Sequence, residues 1–375
     1  MSSSASFAQA ATYRGPESMS LEDYPIPKIG DDDLLLEVIM CGVDGSELAM
    51  YRGAFDYVND RVPVIFGDEI IGRVAQIGNA ASARRGLAVG DRVVVEARWP
   101  CAEGCHTCNR GQYYLCERRG LKNGYGTLSA KDAPHLWGGY STHTFVPPEA
   151  VVYPVPDDLS DRTALIACSP FANGIRWAEA TDVAAGGHIA VIGPGPQGLS
   201  CALAAIATGR RATLIGLEAD SERLKLAEGF GATTFVTTRD SDPDAIVQTA
   251  ADIVAQHGPV DAVIEVSGSP AGKSLAMHVV RALGTVVSSA SPNPSIQPFD
   301  WRLLMWKEVT VKGRISHPNT VETAFEKARE LRDRGVDVGD WITHVFPLDD
   351  VAGAIRTAAY QTEERPIKVA LDPRA

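Results

Sequence analysis

The chain has 375 residues, 45% hydrophobic and 22% charged, enough for about two domains with separate cores. Its formal net charge of −12 excludes the basic face that nucleic-acid binding requires. No apolar run approaches the ~20 residues that span a bilayer, and the opening MSSSASFAQAATYRG lacks the basic and apolar segments of a secretory signal, so a cytoplasmic protein without membrane or nucleic-acid partners is expected.

Over the first ~150 residues, β-branched runs such as LLLEVIM and DRVVVEA are broken by Gly, Pro and Asp, which predicts a β-rich domain with irregular loops. Within it lies CAEGCHTCNRGQYYLC, which holds four of the seven cysteines, Cys101, Cys105, Cys108 and Cys116. Four thiolates so spaced can close a tetrahedral Zn²⁺ shell with no open position, a structural site that stiffens a loop with little core. The other reading, a group of free thiols, leaves the cluster open to oxidation.

Beyond residue ~160 the texture changes. HIAVIG, ATLIGL, DAVIEVSG and GTVVSSA are short, continuously apolar strands, separated by helical stretches such as QGLSCALAAIATG. That alternation predicts an α/β, doubly wound parallel sheet. HIAVIG runs into Gly193, Gly195 and Gly198 in the G-x-G-x-x-G spacing, with Pro196 and Gln197 at the variable positions. A strand before and a helix after make this a dinucleotide turn: Gly193 allows the bend, Gly195 the approach of a pyrophosphate, Gly198 the packing of helix on strand. Glu218, at the end of the next strand, is placed to accept the ribose 2′-OH, which favours NAD over NADP. Arg223 lies five residues on; Arg210 and Arg211 are nearby cations that blur the choice. Past residue ~316 a helix, TVETAFEKARELRDRG, leads to the final strand RPIKVALD.

These segments together resemble the zinc-containing medium-chain dehydrogenase/reductase family over nearly the whole chain. The markers are YPIPKIGDDDLLLEVIMCGVDGSEL, FGDEIIGRV, the cysteine lobe, LWGGYSTHTFVPP, GPGPQG and the terminal IKVAL. The resemblance implies a GroES-like catalytic domain of residues 1–167 with the lobe at 98–120, a Rossmann domain at 168–316, and a return to the catalytic domain at 317–375. It also implies NAD(P)-linked oxidation of a small-molecule secondary alcohol or polyol, or reduction of its carbonyl, in a homodimer or homotetramer. The lobe departs from the family in having three residues, not two, between Cys101 and Cys105.

The catalytic segments depart further. Where the family reads C-G-x-C-x-T/S-D, with the second cysteine on a catalytic zinc, this chain has Asp44, and Cys41 matches the cysteine that is not a ligand. Where it reads G-H-E, with the histidine on zinc, this chain has Gly67-Asp68-Glu69. Cys168 matches the third ligand, or Ser169 does if SPFANG sets the alignment. Ser46 matches the hydroxyl that touches the substrate oxygen, and Ala49 replaces the histidine that relays its proton. Lys368 matches a cation that pairs with Glu69 or reaches the cofactor phosphates.

Two accounts of the site stay open. Three carboxylates in one place repel unless one stays protonated or a cation intervenes, and a metal held by Asp44, Asp68 and Cys168, with Glu69, would act as a Lewis acid. Alternatively the metal is lost, and protonated Asp68 or Glu69 supplies the proton with Ser46 assisting, which suits reduction of an activated C=C. Plainer readings exist: Asp44 as a turn residue before Gly45, Asp68 and Glu69 as a solvated loop edge, and Cys168 as a small buried hydrophobe. A third alternative, a non-catalytic dinucleotide-binding protein that kept the fold and lost the chemistry, is opposed by the intact Ser46, glycine turn and Glu218, which drift would erode. Trp99, Arg98, Phe55, Tyr57 and Trp137 are candidate pocket walls, Arg98 for a polar substrate.

Overall fold

The computed structural model describes residues 7–120, 124–238, 241–290 and 299–375; the first six residues of the opening MSSSASFAQAATYRG lie outside that set. Two units separate, Met1–Ser169 with Asp337–Ala375, and Pro170–Val336. The first unit is β-rich. Strand β1 (Phe7–Gly15) pairs antiparallel with β2 (Ser18–Pro25) and β4 (Val64–Ile65). A seven-stranded sheet uses β3 (Leu34–Val43), β5 (Ile70–Ile77), β6 (Arg92–Val95), β7 (His143–Val146) and β8 (Val152–Pro154), with β15 (Ile342–Pro347) and β16 (Lys368–Asp372) from the chain end. Its order is β15-β16-β3-β5-β6-β8, with β7 also on β3.

The central strand β3 is buried along its length except at Glu37, because it is covered on both faces, and its sequence accordingly reads as a continuous apolar run. Its register places the site. Ala370 lies opposite Gly42 and Leu371 opposite Cys41, while Cys41 also faces Ile70 of β5. Lys368, the end of β3 and the loop before β5 are thereby brought side by side. Among the described residues, this unit also holds α1 (Gly45–Tyr51), α2 (Asp56–Asn59), α3 (Asn79–Arg85), α4 (Asp161–Ile166) and α12 (Val351–Ala358). The cysteine lobe carries only two single 3₁₀ turns. At its base the buried Glu96 accepts hydrogen bonds from the hydroxyls of Tyr113 at 2.5 Å and Tyr153 at 2.8 Å.

The second unit is a parallel sheet with helices. Its strands are β9 (His188–Ile192), β10 (Arg211–Leu217), β11 (Thr233–Thr237), β12 (Val260–Glu265), β13 (Val280–Ser288) and β14 (Thr310–Gly313), ordered β11-β10-β9-β12-β13-β14. All five residues of β9 are buried. The helices are α5 (Ala172–Glu179), α6 (Pro196–Ala207), α7 (Ser221–Gly229), α8 (Pro243–His257), α9 (Pro270–Val279), α10 (Trp301–Lys307) and α11 (Val321–Arg332). Strand order reverses beside β9, the place where open α/β sheets bind ligands. One boundary moves: α11, read above as part of the closing segment from 317, packs on α5, so the second unit runs to Val336. Its buried face, Val321, Ala324, Phe325, Ala328 and Leu331, explains the shift.

Candidate active site and metal centre

Asp44 follows β3 and opens α1. Its Oδ1 accepts hydrogen bonds from the Ser46 N–H at 2.7 Å, the Glu47 N–H at 3.1 Å and the Ser46 hydroxyl at 2.6 Å. Glu47 returns the favour, its Oε2 accepting from the Asp44 N–H at 2.6 Å. This reciprocal cap satisfies the orphan donors of the first turn. Glu47 itself is 1% exposed and its Oε1 has no hydrogen-bond partner. Burial drives its carboxyl far above the usual carboxylate range, and Asp44 and Asp68 push it further.

Glu69 lies across β3, in space that exists only because residue 42 is glycine: a Cβ there would stand 2.0 Å from Glu69 Oε2. Lys368 Nζ meets Glu69 Oε2 at 2.5 Å, and the Ser169 hydroxyl donates to Oε1 at 3.1 Å. Burial raises the Glu69 carboxyl, with Lys368 opposing. Burial also works against the Lys368 charge, but Glu69, Asp44 and Glu47 outweigh it and hold the ammonium. Asp68, partly buried, has its pKa raised to about 8 by desolvation, then by Asp44 and Glu69, against Arg98 and Lys368. It is therefore mostly neutral at pH 7, an acid able to donate.

The four expected ligands of a catalytic metal do not converge. Asp44 is engaged as a helix cap and Glu69 as the partner of Lys368. The buried Cys168 thiol donates to the Leu165 carbonyl at 3.2 Å, and desolvation followed by Glu69 keeps it protonated. Among the described residues, the group of His, Cys, Asp or Glu side chains whose donor atoms come together as a metal site is Cys101, Cys105, Cys108 and Cys116, all within 4.8 Å of one another. Sulfur separations of 3.9 Å for Cys101–Cys108 and 3.8 Å for Cys105–Cys116 match the roughly 3.8 Å edge of a tetrahedron with Zn–S bonds near 2.3 Å. Cys101 belongs to this group despite the longer spacing. The lobe has the donors and spacing of a zinc site; the acid side chains, as they stand, do not bring three donor atoms together.

In the second unit, Gly193 adopts φ +104° after β9, and a Cβ there would meet the Ser267 N at 2.8 Å. A Cβ on Gly198 would stand 1.8 Å from the Gly193 carbonyl oxygen. Gly195 differs: its φ is −64° and the nearest atom to an added Cβ is Arg223 Nη1 at 4.0 Å. Nothing in the fold requires glycine at 195, so the space suits an approaching ligand. Gly195 opens α6 without a side-chain cap and Pro196 occupies the first turn, so the N–H groups of Gln197 and Gly198 remain for a phosphate. A cavity of about 440 Å³ adjoins this turn, lined by Gly193, Gly216, Asp220, Thr237, Ser267 and Ser269 among others. The site fits a dinucleotide. Gly195→Val is expected to weaken binding of the reduced dinucleotide roughly tenfold or more with little change in melting temperature, whereas Gly198→Ala lowers both, as read by fluorescence titration and thermal unfolding.

Several sequence expectations are relocated. Lys368, proposed for the cofactor, is 3% exposed and held by Glu69. Glu218 stands just past β10, exposed, in a short 3₁₀ turn, while Asp220 two residues on lines the cavity and has Arg223 at 4.0 Å. Trp99 is core, 2% exposed and 4.9 Å from the Tyr125 ring, with Trp137 at 6.3 Å. Phe55 and Tyr57 pair at 5.7 Å and stay partly buried, and Arg98 acts on Asp68 and Tyr57. Glu47 and Asp220 went unrecognised. Asp-x-x-Glu from 44 to 47 is a capping-box signature and was the available signal for the first.

Residues 30–157 match the family described as the alcohol dehydrogenase GroES-like domain, and residues 196–330 that described as zinc-binding dehydrogenase. A probable alcohol dehydrogenase of Mycobacterium tuberculosis is 34% identical over 86% of each chain. An erythritol/L-threitol dehydrogenase of Mycolicibacterium smegmatis is 29% identical over 97% of each. The crystal structure of 2R,3R-butanediol dehydrogenase from Bacillus subtilis superposes with a TM-score of 0.79 at 25% identity, covering 98% of this chain and 99% of that one.

Proposed function

The chain belongs to the zinc-binding, alcohol dehydrogenase-like family of oxidoreductases, and from that premise we propose that it transfers hydride between a secondary alcohol or polyol and its carbonyl, with NAD(H), without a catalytic metal. The observation that carries this reading is the acid site: its donors do not converge, and Asp68 is held neutral with a pKa of about 8. Neutral Asp68 donates a hydrogen bond to the substrate oxygen, the part a Lewis acid plays in the family, as a protonated carboxyl in an apolar site can. Ser46 contacts the same oxygen. Glu69 and Lys368 neutralise each other beneath them and keep the site's net charge from suppressing reaction.

The nicotinamide cofactor supplies or accepts the hydride; Gly193, Gly195, Pro196, Gln197 and Gly198 hold its pyrophosphate at the start of α6, with Arg223 beside Gly195. Carboxylates at Glu218 and Asp220 support NAD over NADP, because a 2′-phosphate there meets like charge. One zinc in the cysteine lobe is structural. We also read the chain as a homodimer or homotetramer, supported by Trp301, Met305 and Trp306 of α10, a helix that packs on β13 and leaves each of the three at least 65% exposed. The test is an NADH-oxidation and NAD-reduction screen against ketones, polyols and secondary alcohols, with NADP(H) in parallel. Turnover with ketones or alcohols supports the reading; turnover confined to α,β-unsaturated carbonyls replaces it with the second one, a zinc-free C=C reductase, which the same unconverged donors favour.

A further inference from the structure

Resting on the alcohol–carbonyl reading above, we propose that Asp44 is the proton acceptor behind Ser46, so that the two side chains together carry the substrate's hydroxyl proton away from the reacting carbon. The family's relay histidine is Ala49 here, and a methyl group moves no proton. The structure offers a replacement three residues upstream of Glu47. Ser46 is exposed, and its hydroxyl donates its single proton to Asp44 Oδ1 at 2.6 Å, which leaves the Ser46 lone pairs free to accept from a substrate O–H. The same Asp44 oxygen is fixed by two backbone N–H groups, at 2.7 and 3.1 Å, so the acceptor is preorganised rather than swinging on a free side chain.

Asp44 faces Glu47 on its own helix, Asp68 and Glu69 from the loop before β5, and Lys368 from β16. In oxidation the substrate O–H proton passes to Ser46 Oγ as the Ser46 proton passes to the Asp44 carboxylate. The C–H bond leaves with its electron pair as hydride to oxidised nicotinamide, and the carbonyl forms; alcohol, NAD⁺ and carboxylate become ketone, NADH and carboxylic acid. Reduction runs the same steps backwards. Asp44 touches no substrate atom, so it acts as a positioning and accepting residue through Ser46.

The test is Asp44→Asn in the full-length protein. Asparagine caps a helix as well as aspartate and keeps the acceptor oxygen for Ser46, but takes no proton. The expected result is a fall in kcat for alcohol oxidation of about 10²-fold, with the substrate KM, NADH affinity and melting temperature unchanged. Ser46→Ala should lose a similar factor, and the double variant should lose no more than the larger single loss, since the two act as one unit. Asp44→Asn oxidising alcohols at the wild-type rate, or losses that multiply in the double variant, would overturn the relay. Wild-type protein inactive on every alcohol and ketone would instead remove the reaction on which the relay rests, so the two failures are distinguishable.

Discussion

Asp68→Ala is expected to lower kcat for carbonyl reduction by about 10²–10³-fold, the loss that follows removal of one preorganised donor to a developing oxyanion. Asp68→Asn keeps an N–H donor in the same place and should retain more of the rate. The two variants differ from wild type in pH dependence as well. Neutral Asp68 is the donating form, so wild-type reduction should show a limb that falls through its pKa of about 8; in Asp68→Asn that limb should vanish. The groups that share the site, Asp44, Glu47, Glu69, Lys368 and Arg98, are present in both proteins and so cannot supply the difference. Initial rates of NADH oxidation from pH 6 to 9.5 read it out. An unchanged alkaline limb in Asp68→Asn would assign it to another group.

The same ionisation affects folding. An acid whose pKa is raised from 3.8 unfolded to about 8 folded binds a proton in the native state that the unfolded chain has released. Its stabilising contribution is fully present below the unfolded value, falls as pH rises through that window and is lost above the folded value. Asp68→Asn should therefore flatten the decline of melting temperature between neutral and mildly alkaline pH.

The second large effect concerns the ion pair beneath the site. Lys368→Met should destabilise the protein by about 3–5 kcal/mol, because it leaves Glu69 buried and uncompensated among other carboxyl groups. The pair has side chains only 2% and 1% exposed, so water cannot take over the lost contact. A drop in melting temperature on the order of 10 °C follows. Adding Glu69→Gln to Lys368→Met removes the orphaned charge and keeps an acceptor for the Ser169 hydroxyl, so most of the loss should return. Failure of the double variant to recover would mean that the lysine acts by packing instead of charge.

Much of this architecture is legible in the sequence because it is local. Continuous apolar strands, the glycine spacing after HIAVIG and the clustered cysteines each specify their own conformation within a few residues. The domain boundary is not local: α11 belongs with α5 through the apolar stripe from Val321 to Leu331, which a linear reading assigns to either unit. The acid site shows a subtler limit. Asp44, Asp68, Glu69 and Cys168 lie near enough to act on one another's charge, yet ligand geometry depends on where each side chain points. Asp44 turns back to cap α1 because Glu47 stands three residues on, and Glu69 folds over Gly42 toward Lys368, a residue some three hundred positions away. Only the register of β16 on β3 brings that lysine there.

If metal resides in the cysteine lobe and the acids work without one, elemental analysis of the purified protein will read it. About one zinc per chain, removed by paired Cys105→Ser and Cys116→Ser substitutions and unaffected by Asp68→Ala, is the predicted result. About two zinc per chain, with one lost on substitution of Asp44 or Asp68, would contradict it.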